Sequence, residues 1–300
     1  MNTPFSMIWQ IIGFEKNKKL FVNAIKDGSL SHAYLFSGQE MIGKRTFALE
    51  LISLAAQLSG STTEYLVVEP LSNPDILVVN AASSESGQTI AIEEVRKIKN
   101  FVSLSPYAAK HKFIVIDDAH LMTVEAQSAL LKVLEEPSAS SILILVSAYP
   151  EALLPTIFSR CQEIKFFPHS RESINAVLAG AKLSKTTREF LVEFAGGRIG
   201  LVKRIIEEDS FGLVEGAVKK IMHLAKADIN ERLVVAQKLT DEKNKAELPR
   251  LVFYWMLYLR TRLGEPKAQK MLKGLLALNE IVNKPQYNQR LALESFLISL

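Results

Sequence analysis

The chain has 300 residues, of which 48% are hydrophobic and only one is cysteine, and its formal net charge is +4. This length and apolar content support two or three domains with at least one large core. A single cysteine excludes an internal disulfide and a cysteine-based zinc site, and it favours a reducing cytoplasm. No apolar run is long enough to span a bilayer, and the first 19 residues lack the pattern of a secretory signal, so we expect a cytoplasmic protein with no membrane partner.

The first third of the chain alternates short apolar runs with amphipathic segments. Residues 33–38 (AYLFSG) predict a buried strand, and residues 44–58 carry apolar side chains at helical spacing. A second strand is predicted at 75–79. An amphipathic helix is predicted at 92–102, with two acidic residues in its first turn.

The same alternation continues to about residue 166. Residues 112–122 (KFIVIDDAHLM) predict a strand that ends in two aspartates, residues 124–137 predict a helix that ends at a proline, and residues 142–148 predict a fourth strand. Four apolar strands separated by helices imply a parallel sheet covered by helices on both faces. We therefore expect an α/β domain over residues 1–167.

The remainder of the chain has a different pattern. Apolar residues recur at helical spacing in every segment after residue 168, and no strand is predicted there. A group of short helices is expected at 168–207, followed by longer helices at 208–300. The chain has no repeat of fixed period and no low-complexity tract.

A glycine-rich stretch, GQEMIGKRT at 38–46, follows the first predicted strand directly and opens the first long helix. Gly38, Gly43 and Lys44 match the phosphate-binding pattern G-x-x-x-x-G-K-[S/T], but Arg45 stands where a Ser or Thr hydroxyl would bind magnesium. In such a loop the backbone amides and the helix N-terminus hold phosphates, and the lysine adds positive charge. The strand–loop–helix context therefore favours a P-loop fold, whereas Arg45 argues against hydrolysis.

Two aspartates, Asp117 and Asp118, end the third predicted strand. In a nucleotide site one carboxylate there can hold magnesium, and a second acid can polarise the attacking water. The second acid in hydrolysing proteins of this kind is usually glutamate, and Asp118 is one methylene shorter. The two residues are also compatible with simple solvated acids at a strand end. Combined with the glycine loop, they favour an inherited nucleotide site with weakened chemistry, in which passive binding of ATP or ADP stays open.

A lone arginine, Arg160, lies within LLPTIFSRCQEIKF (153–166), just before a short strand and outside the glycine loop. An arginine displayed in this way can reach a phosphate bound by a neighbouring subunit, as an arginine finger does. The alternative is a surface arginine paired with an acid.

Three stretches together resemble a known family. SHAYLFSGQEMIGK, IDDAHLMTVEAQSALLKVLEEP and LLPTIFSRC are similar to the bacterial clamp-loader subunits of the AAA+ class, in particular the delta-prime family of DNA polymerase III. The likeness begins at residues 9–14 and returns in NQRLALESFL at 288–297.

The resemblance implies an architecture and a set of partners. It implies an AAA+ nucleotide-binding-like domain (1–167), a helical lid (168–207) and a helical collar (208–300) through which five subunits form an open ring. The partners it implies are gamma/tau-type motor subunits and a delta subunit, with the sliding clamp and primed DNA contacted through the assembly during replication. No cofactor is required in this role.

The resemblance also implies roles for individual residues. Subunits of the delta-prime family do not hydrolyse ATP, so Gly38, Gly43, Lys44, Asp117 and Asp118 would form a degenerate nucleotide site. The family's Ser-Arg-Cys arginine completes the ATP site of an adjacent motor subunit. That role falls here on Arg160, within Ser159-Arg160-Cys161.

The sequence departs from the family pattern at three places. The stretch 56–75 contains no cysteine, so the four-cysteine zinc module of many members is not carried over. Arg198 is offset from the place of the nucleotide-sensing arginine of motor subunits, and Gly200 is nearer to it. The family has a sensor threonine after the fourth strand, and this chain has Ser147-Ala148 near that place instead. These departures leave the finger and collar roles intact and argue against independent ATPase activity.

Three other functions were weighed against this one. An ATP-hydrolysing motor subunit of the same complex would need Ser or Thr at position 45 and preferably Glu at 118. A freestanding P-loop transferase or kinase would leave the Ser-Arg-Cys element unexplained. Sequence-specific DNA binding lacks a supporting helix-turn-helix, zinc finger or aromatic–basic platform.

Overall fold

The structure, a computed structural model, describes residues 9–58, 73–83, 89–107, 109–241, 243–282 and 287–300. The stretch 59–72, which contains most of the segment compared with the zinc module, lies outside the described residues. The described chain divides into two compact units. The first holds the chain up to Ser173 together with Arg198–Gly200, and the second holds Ile174–Gly197 and Leu201–Leu300.

A five-stranded parallel sheet lies at the centre of the first unit, in the order β2-β3-β4-β1-β5. Its strands are β1 (Ala33–Ser37), β2 (Ile76–Val79), β3 (Lys112–Ile116), β4 (Ser141–Ser147) and β5 (Gln162–Lys165). The first four are the predicted apolar strands, and β5 is the short strand predicted after Arg160.

Helices cover both faces of this sheet, as the apolar strands require. The helices of the first unit are α1 (Glu15–Lys26), α2 (Lys44–Leu58), α3 (Ile92–Val102), α4 (Val124–Glu135) and α5 (Pro155–Phe158), with α6 (Arg171–Leu178) beginning at its end. Alternate residues of β1 to β4 enter two separate cores. Phe36 of β1 packs in one core with Phe21 and Phe47 from α1 and α2, whereas Leu35 packs in the other with Ile98 and Leu130 from α3 and α4.

Local sequence determines where helix α4 begins and ends. Its start is capped by Thr123, whose hydroxyl oxygen accepts a hydrogen bond from the Ala126 amide at 3.2 Å. The helix ends at Glu135, two residues before Pro137, which cannot continue it.

The second unit is helical throughout its described residues. After α6 come α7 (Lys185–Ala195), α8 (Ile199–Glu207), α9 (Phe211–Leu224), α10 (Ile229–Thr240), α11 (Leu248–Arg260), α12 (Pro266–Val282) and α13 (Gln289–Ile298). All the helices predicted from the sequence pattern after residue 168 are present. The further division into a lid at 168–207 and a collar at 208–300 stays a prediction.

Candidate functional site

The glycine loop joins β1 to α2, and two of its glycines adopt backbone conformations that other residues rarely reach. Gly38 has φ +143° and Gly43 has φ +108°. A Cβ at Gly38 would collide with the backbone carbonyl of Phe166. The geometry therefore requires glycine at position 38 whether or not a phosphate is bound.

Lys44, the first residue of α2, is 6% exposed and is turned back onto the loop itself. Its ammonium donates to the carbonyl oxygen of Gly38 at 2.6 Å and to that of Gln39 at 2.7 Å. Burial lowers the pKa of Lys44 to about 8, while Asp118, Asp117 and Glu40 act in the opposite direction. The Lys44 ammonium, which the sequence pattern predicted to face a phosphate, therefore donates its hydrogen bonds to carbonyl groups of the loop itself.

Asp117 and Asp118 directly follow β3, the strand that the sequence predicted to end in them, and Asp117 lies beside Arg45 at the end of the loop. The Nε atom of Arg45 lies 3.5 Å from Oδ2 of Asp117, and the Asp118 backbone amide donates to Oδ1 of Asp117 at 3.1 Å. Burial and the adjacent Asp118 carboxylate raise the pKa of Asp117 to about 6, against the lowering effect of Arg45. Arg45 thus pairs with the carboxylate that would hold magnesium in a working site.

Sequence reasoning missed a pair on the far side of the loop. The Glu40 carboxylate, from the third residue of the loop, lies near the Tyr149 hydroxyl, and burial, followed by this acidic neighbour, raises the pKa of Tyr149 to about 12. Tyr149 also packs its ring against His120 at a centroid distance of 5.0 Å. The only sequence signal was an acidic residue inside a phosphate-binding pattern, which is an unusual place for one.

The residues compared with the nucleotide sensors lie at this same edge of the sheet. Ser147, at the end of β4, is fully buried, and its hydroxyl accepts from the Tyr149 amide at 3.1 Å. The Gly200 amide donates to the carbonyl of Met41 in the glycine loop at 2.7 Å, and a Cβ at Gly200 would lie 2.7 Å from that same oxygen. Arg198 is 9% exposed and lowers the pKa of Tyr149 by its charge.

Arg160 lies on a separate surface formed by α4, α5 and the turn before β5, here called the arginine platform. Its Nη2 atom lies 2.9 Å from Oε1 of Glu135, and its Nη1 atom donates to the Thr156 carbonyl at 3.0 Å. The Arg160 side chain is 35% exposed. Burial raises the pKa of the neighbouring Cys161 thiol to about 12, which makes it a poor nucleophile.

A buried glutamine that sequence reasoning did not single out braces the segment before this platform. Gln127, on α4 and 4% exposed, accepts from the Leu154 amide at 2.7 Å and donates to the carbonyls of Ala152 and Met122. It therefore fixes the turn that leads into α5 and Arg160. A polar residue on the inward face of a helix was the available signal.

The described residues contain neither a metal cluster nor a membrane span. Within the ranges that the structure describes, no group of three or more His, Cys, Asp or Glu side chains is placed to hold a metal ion. No helix in those ranges is both long and apolar enough to cross a membrane.

The strand order, the glycine loop between β1 and α2, and the carboxylates after β3 together define a P-loop fold of the AAA+ class. The fold is shared with a DNA polymerase III gamma subunit-related protein from Thermotoga maritima, with a TM-score of 0.55 and 20% identity over 93% of this chain and 97% of that one.

The family model described as "DNA polymerase III, delta subunit" matches residues 13–170, which is more than half of the chain, and the chain belongs to this family. A DNA polymerase III subunit delta' from Pseudomonas aeruginosa is 29% identical, over 89% of this chain and 91% of its own length. The subunit tau of Bacillus subtilis is 33% identical over 52% of this chain, but the match spans only 28% of that protein. The delta-prime resemblance predicted from the sequence is confirmed.

Proposed function

We propose that this chain is the non-hydrolysing subunit of a bacterial clamp loader and donates Arg160 in trans to the ATP site of a neighbouring motor subunit. The neighbours are gamma/tau-type and delta subunits in a five-membered ring, and the assembly loads a sliding clamp onto primed DNA. The chain would thus act within the DNA polymerase III holoenzyme and have no intrinsic activity. The likeness to delta-prime and tau proteins supports this setting.

The observation that carries the proposal is the state of the glycine loop. Lys44 is bonded to the loop's own carbonyls, and Arg45 pairs with Asp117 where a hydrolysing site needs a magnesium ligand. Arg45 therefore lies beside the carboxylate that a bound metal would need, and it supplies no ligand of its own. Passive binding of a nucleotide is a separate property and stays open.

Arg160, in contrast to Lys44, is partly exposed and can bind a phosphate group of another subunit. Its side chain is 35% exposed, and arginine presents a rigid fork of donors that suits phosphate oxygens. Its acidic neighbour Glu135 is the ion-pair partner that the alternative interpretation anticipated, but exposed ion pairs contribute at most about 1 kcal/mol. Such a pair leaves the N–H groups that it does not use available to a stronger acceptor.

The test is to rebuild the loader with Arg160→Ala or Lys44→Ala in this chain and measure the ATPase stimulated by DNA and clamp. Arginine fingers in GTPase systems contribute roughly 10³–10⁵ in rate. Because this chain serves only one of several ATP sites, we expect Arg160→Ala to reduce the total ATPase and clamp loading clearly. Lys44→Ala should change both much less.

Arg171→Ala is the matched control, because it removes an exposed arginine at the start of α6. A crippling Lys44→Ala together with a silent Arg160→Ala would overturn the proposal and favour a hydrolysing motor subunit.

A further inference from the structure

The arginine platform holds Arg160 from two directions. Glu135 is the last residue of α4 and lies 2.9 Å from Nη2, while the Thr156 carbonyl in α5 accepts from Nη1 at 3.0 Å. The Ser159 hydroxyl, 3.4 Å from Nη1, itself donates to the Thr156 carbonyl at 3.1 Å. The guanidinium is therefore clamped between the ends of two helices that both pack on the sheet.

The clamp leaves part of the guanidinium unused. An arginine side chain carries five N–H groups, one on Nε and two on each Nη atom. The contacts to Glu135, Thr156 and Ser159 involve only the Nη atoms, and Nε of Arg160 has no hydrogen bond or ion pair with a described residue. At least two N–H groups, including the one on Nε, therefore remain for an acceptor that the chain itself does not supply.

Clamping an arginine in this way affects how it works in an assembly. A long side chain loses rotamer freedom when it is fixed, and fixing it before the partner arrives removes that cost from the encounter. Electrostatic stabilisation of a transition state is also most effective when the donors are preorganised and need not move during the reaction. Because Glu135 ends a helix whose inward face is buried, its carboxylate is well placed to orient the guanidinium.

We propose that Glu135 is a positioning residue for the arginine finger, holding Arg160 so that its free donors face a phosphate group bound by the neighbouring subunit. This inference rests on the proposed function, since it assumes that Arg160 acts in trans. Glu135 itself contacts no nucleotide in this scheme and acts only through Arg160.

The first experiment measures the kcat and KM for ATP of the rebuilt loader carrying Glu135→Gln, which keeps the shape of the side chain and removes its charge. We expect the rate at the one ATP site that Arg160 serves to fall roughly two- to fivefold, the range set by a partly exposed ion pair. The kcat of the whole loader should fall by a smaller factor, no larger than that of Arg160→Ala, with KM unchanged. Glu136→Gln is the matched control, because it removes the same charge one residue later and Glu136 is in no ion pair among the described residues. This control should leave kcat unchanged.

The second experiment separates positioning from a general structural role through a double-mutant cycle. If Glu135 acts through Arg160, then Glu135→Gln should have no further effect in the Arg160→Ala background. A structural role would instead lower kcat by the same factor in both backgrounds, and that additive result would overturn the proposal. A rise in kcat for Glu135→Gln would also overturn it, since Glu135 would then be competing with the phosphate.

A third measurement on the isolated chain is independent of the assembly. NMR of the Arg160 guanidinium should show slow rotation about the Nε–Cζ bond, and Glu135→Gln should accelerate it, whereas Glu136→Gln should not. Equal rotation rates in all three chains would contradict the clamp directly. If Arg160→Ala is silent in the loader, the proposed function and this inference both fail; if only Glu135→Gln is silent, the inference alone fails.

Discussion

The glycine loop and the arginine platform both carry positive charge, but they use it in opposite ways. In the loop, Lys44 and Arg45 find acceptors within the same fold, namely loop carbonyls and Asp117. On the platform, the Arg160 guanidinium is held by Glu135, Thr156 and Ser159 and still has N–H groups without an acceptor among the described residues. The difference shows that a P-loop fold can satisfy the charges of its own loop internally while another of its surfaces keeps a partly exposed arginine with unused donors.

The largest expected effect concerns the thiol beneath the platform. Burial raises the pKa of Cys161 to about 12, so at pH 8 its thiolate fraction is on the order of a thousandfold below that of an ordinary exposed cysteine. We expect alkylation of the native chain by iodoacetamide to be slower by a similar factor than alkylation of the unfolded chain. Because Cys161 is the only cysteine, the label reports this site alone.

That measurement also tests how firmly the platform is built. Rapid labelling of the native chain at pH 8 would mean that the surface opens often, which contradicts a preorganised Arg160. The Arg160→Ala variant provides the control, since it removes the exposed arginine and should leave the thiol protected.

A smaller effect is expected in the loop from the titration of Asp117. Its pKa rises from an ordinary 3.8 to about 6 in the folded chain, so between these values the folded state binds more protons than the unfolded state. The contribution of this group to stability is therefore fully present below pH 3.8 and is lost as the pH rises through 6, by on the order of 3 kcal/mol. The measurement is the free energy of unfolding by denaturant for the wild type and for Asp117→Asn between pH 4 and pH 7. The wild type should lose stability relative to Asp117→Asn as the pH rises through this range.

The control for this titration is Asp27→Asn, which removes an exposed carboxylate at the end of α1. If the difference between wild type and Asp117→Asn is flat from pH 4 to pH 7, Asp117 is not held in a buried, internally satisfied loop.

The smallest effect is expected at the contact between Gly200 and the loop. A methyl group at position 200 would meet the Met41 carbonyl at 2.7 Å, so Gly200→Ala must displace the loop or the first turn of α8. We expect a loss of about 1–2 kcal/mol in the free energy of unfolding, in the range of overpacking changes. Gly216→Ala, in the middle of α9 with open space around it, should instead stabilise the chain by about 0.5–1 kcal/mol. Equal effects of the two changes would show that the loop is not closed by Gly200.

Local patterns were sufficient to predict the fold and the placement of several site residues. Apolar periodicity predicted the strands and helices, and the pattern around Gly38 and Lys44 predicted the loop between β1 and α2, because these features depend on residues close in sequence. The sequence also showed that Arg45 replaces the Ser or Thr of the phosphate-binding pattern. It did not show that Arg45 pairs with Asp117.

The remaining features depend on residues that are distant in sequence and meet only in the folded chain. Nothing in the sequence pairs Glu40 with Tyr149, Gly200 with Met41, or Glu135 with Arg160. Gln127 was similarly hidden, because its role depends on which backbone groups the turn at 152–154 leaves in need of partners. Such contacts become apparent only once the sheet has brought its loops together.

The close approach of Gly38 to Phe166 has a consequence for how sequences of this kind are interpreted. Phe166 follows the edge strand β5, and its carbonyl fills the space where any side chain at position 38 would stand. A replacement there would push the chain that runs on from the arginine platform away from β1, even in a molecule that never meets a nucleotide. Selection on packing alone can therefore preserve the first glycine of a phosphate-binding signature, so the presence of that glycine is not by itself evidence of ATP hydrolysis.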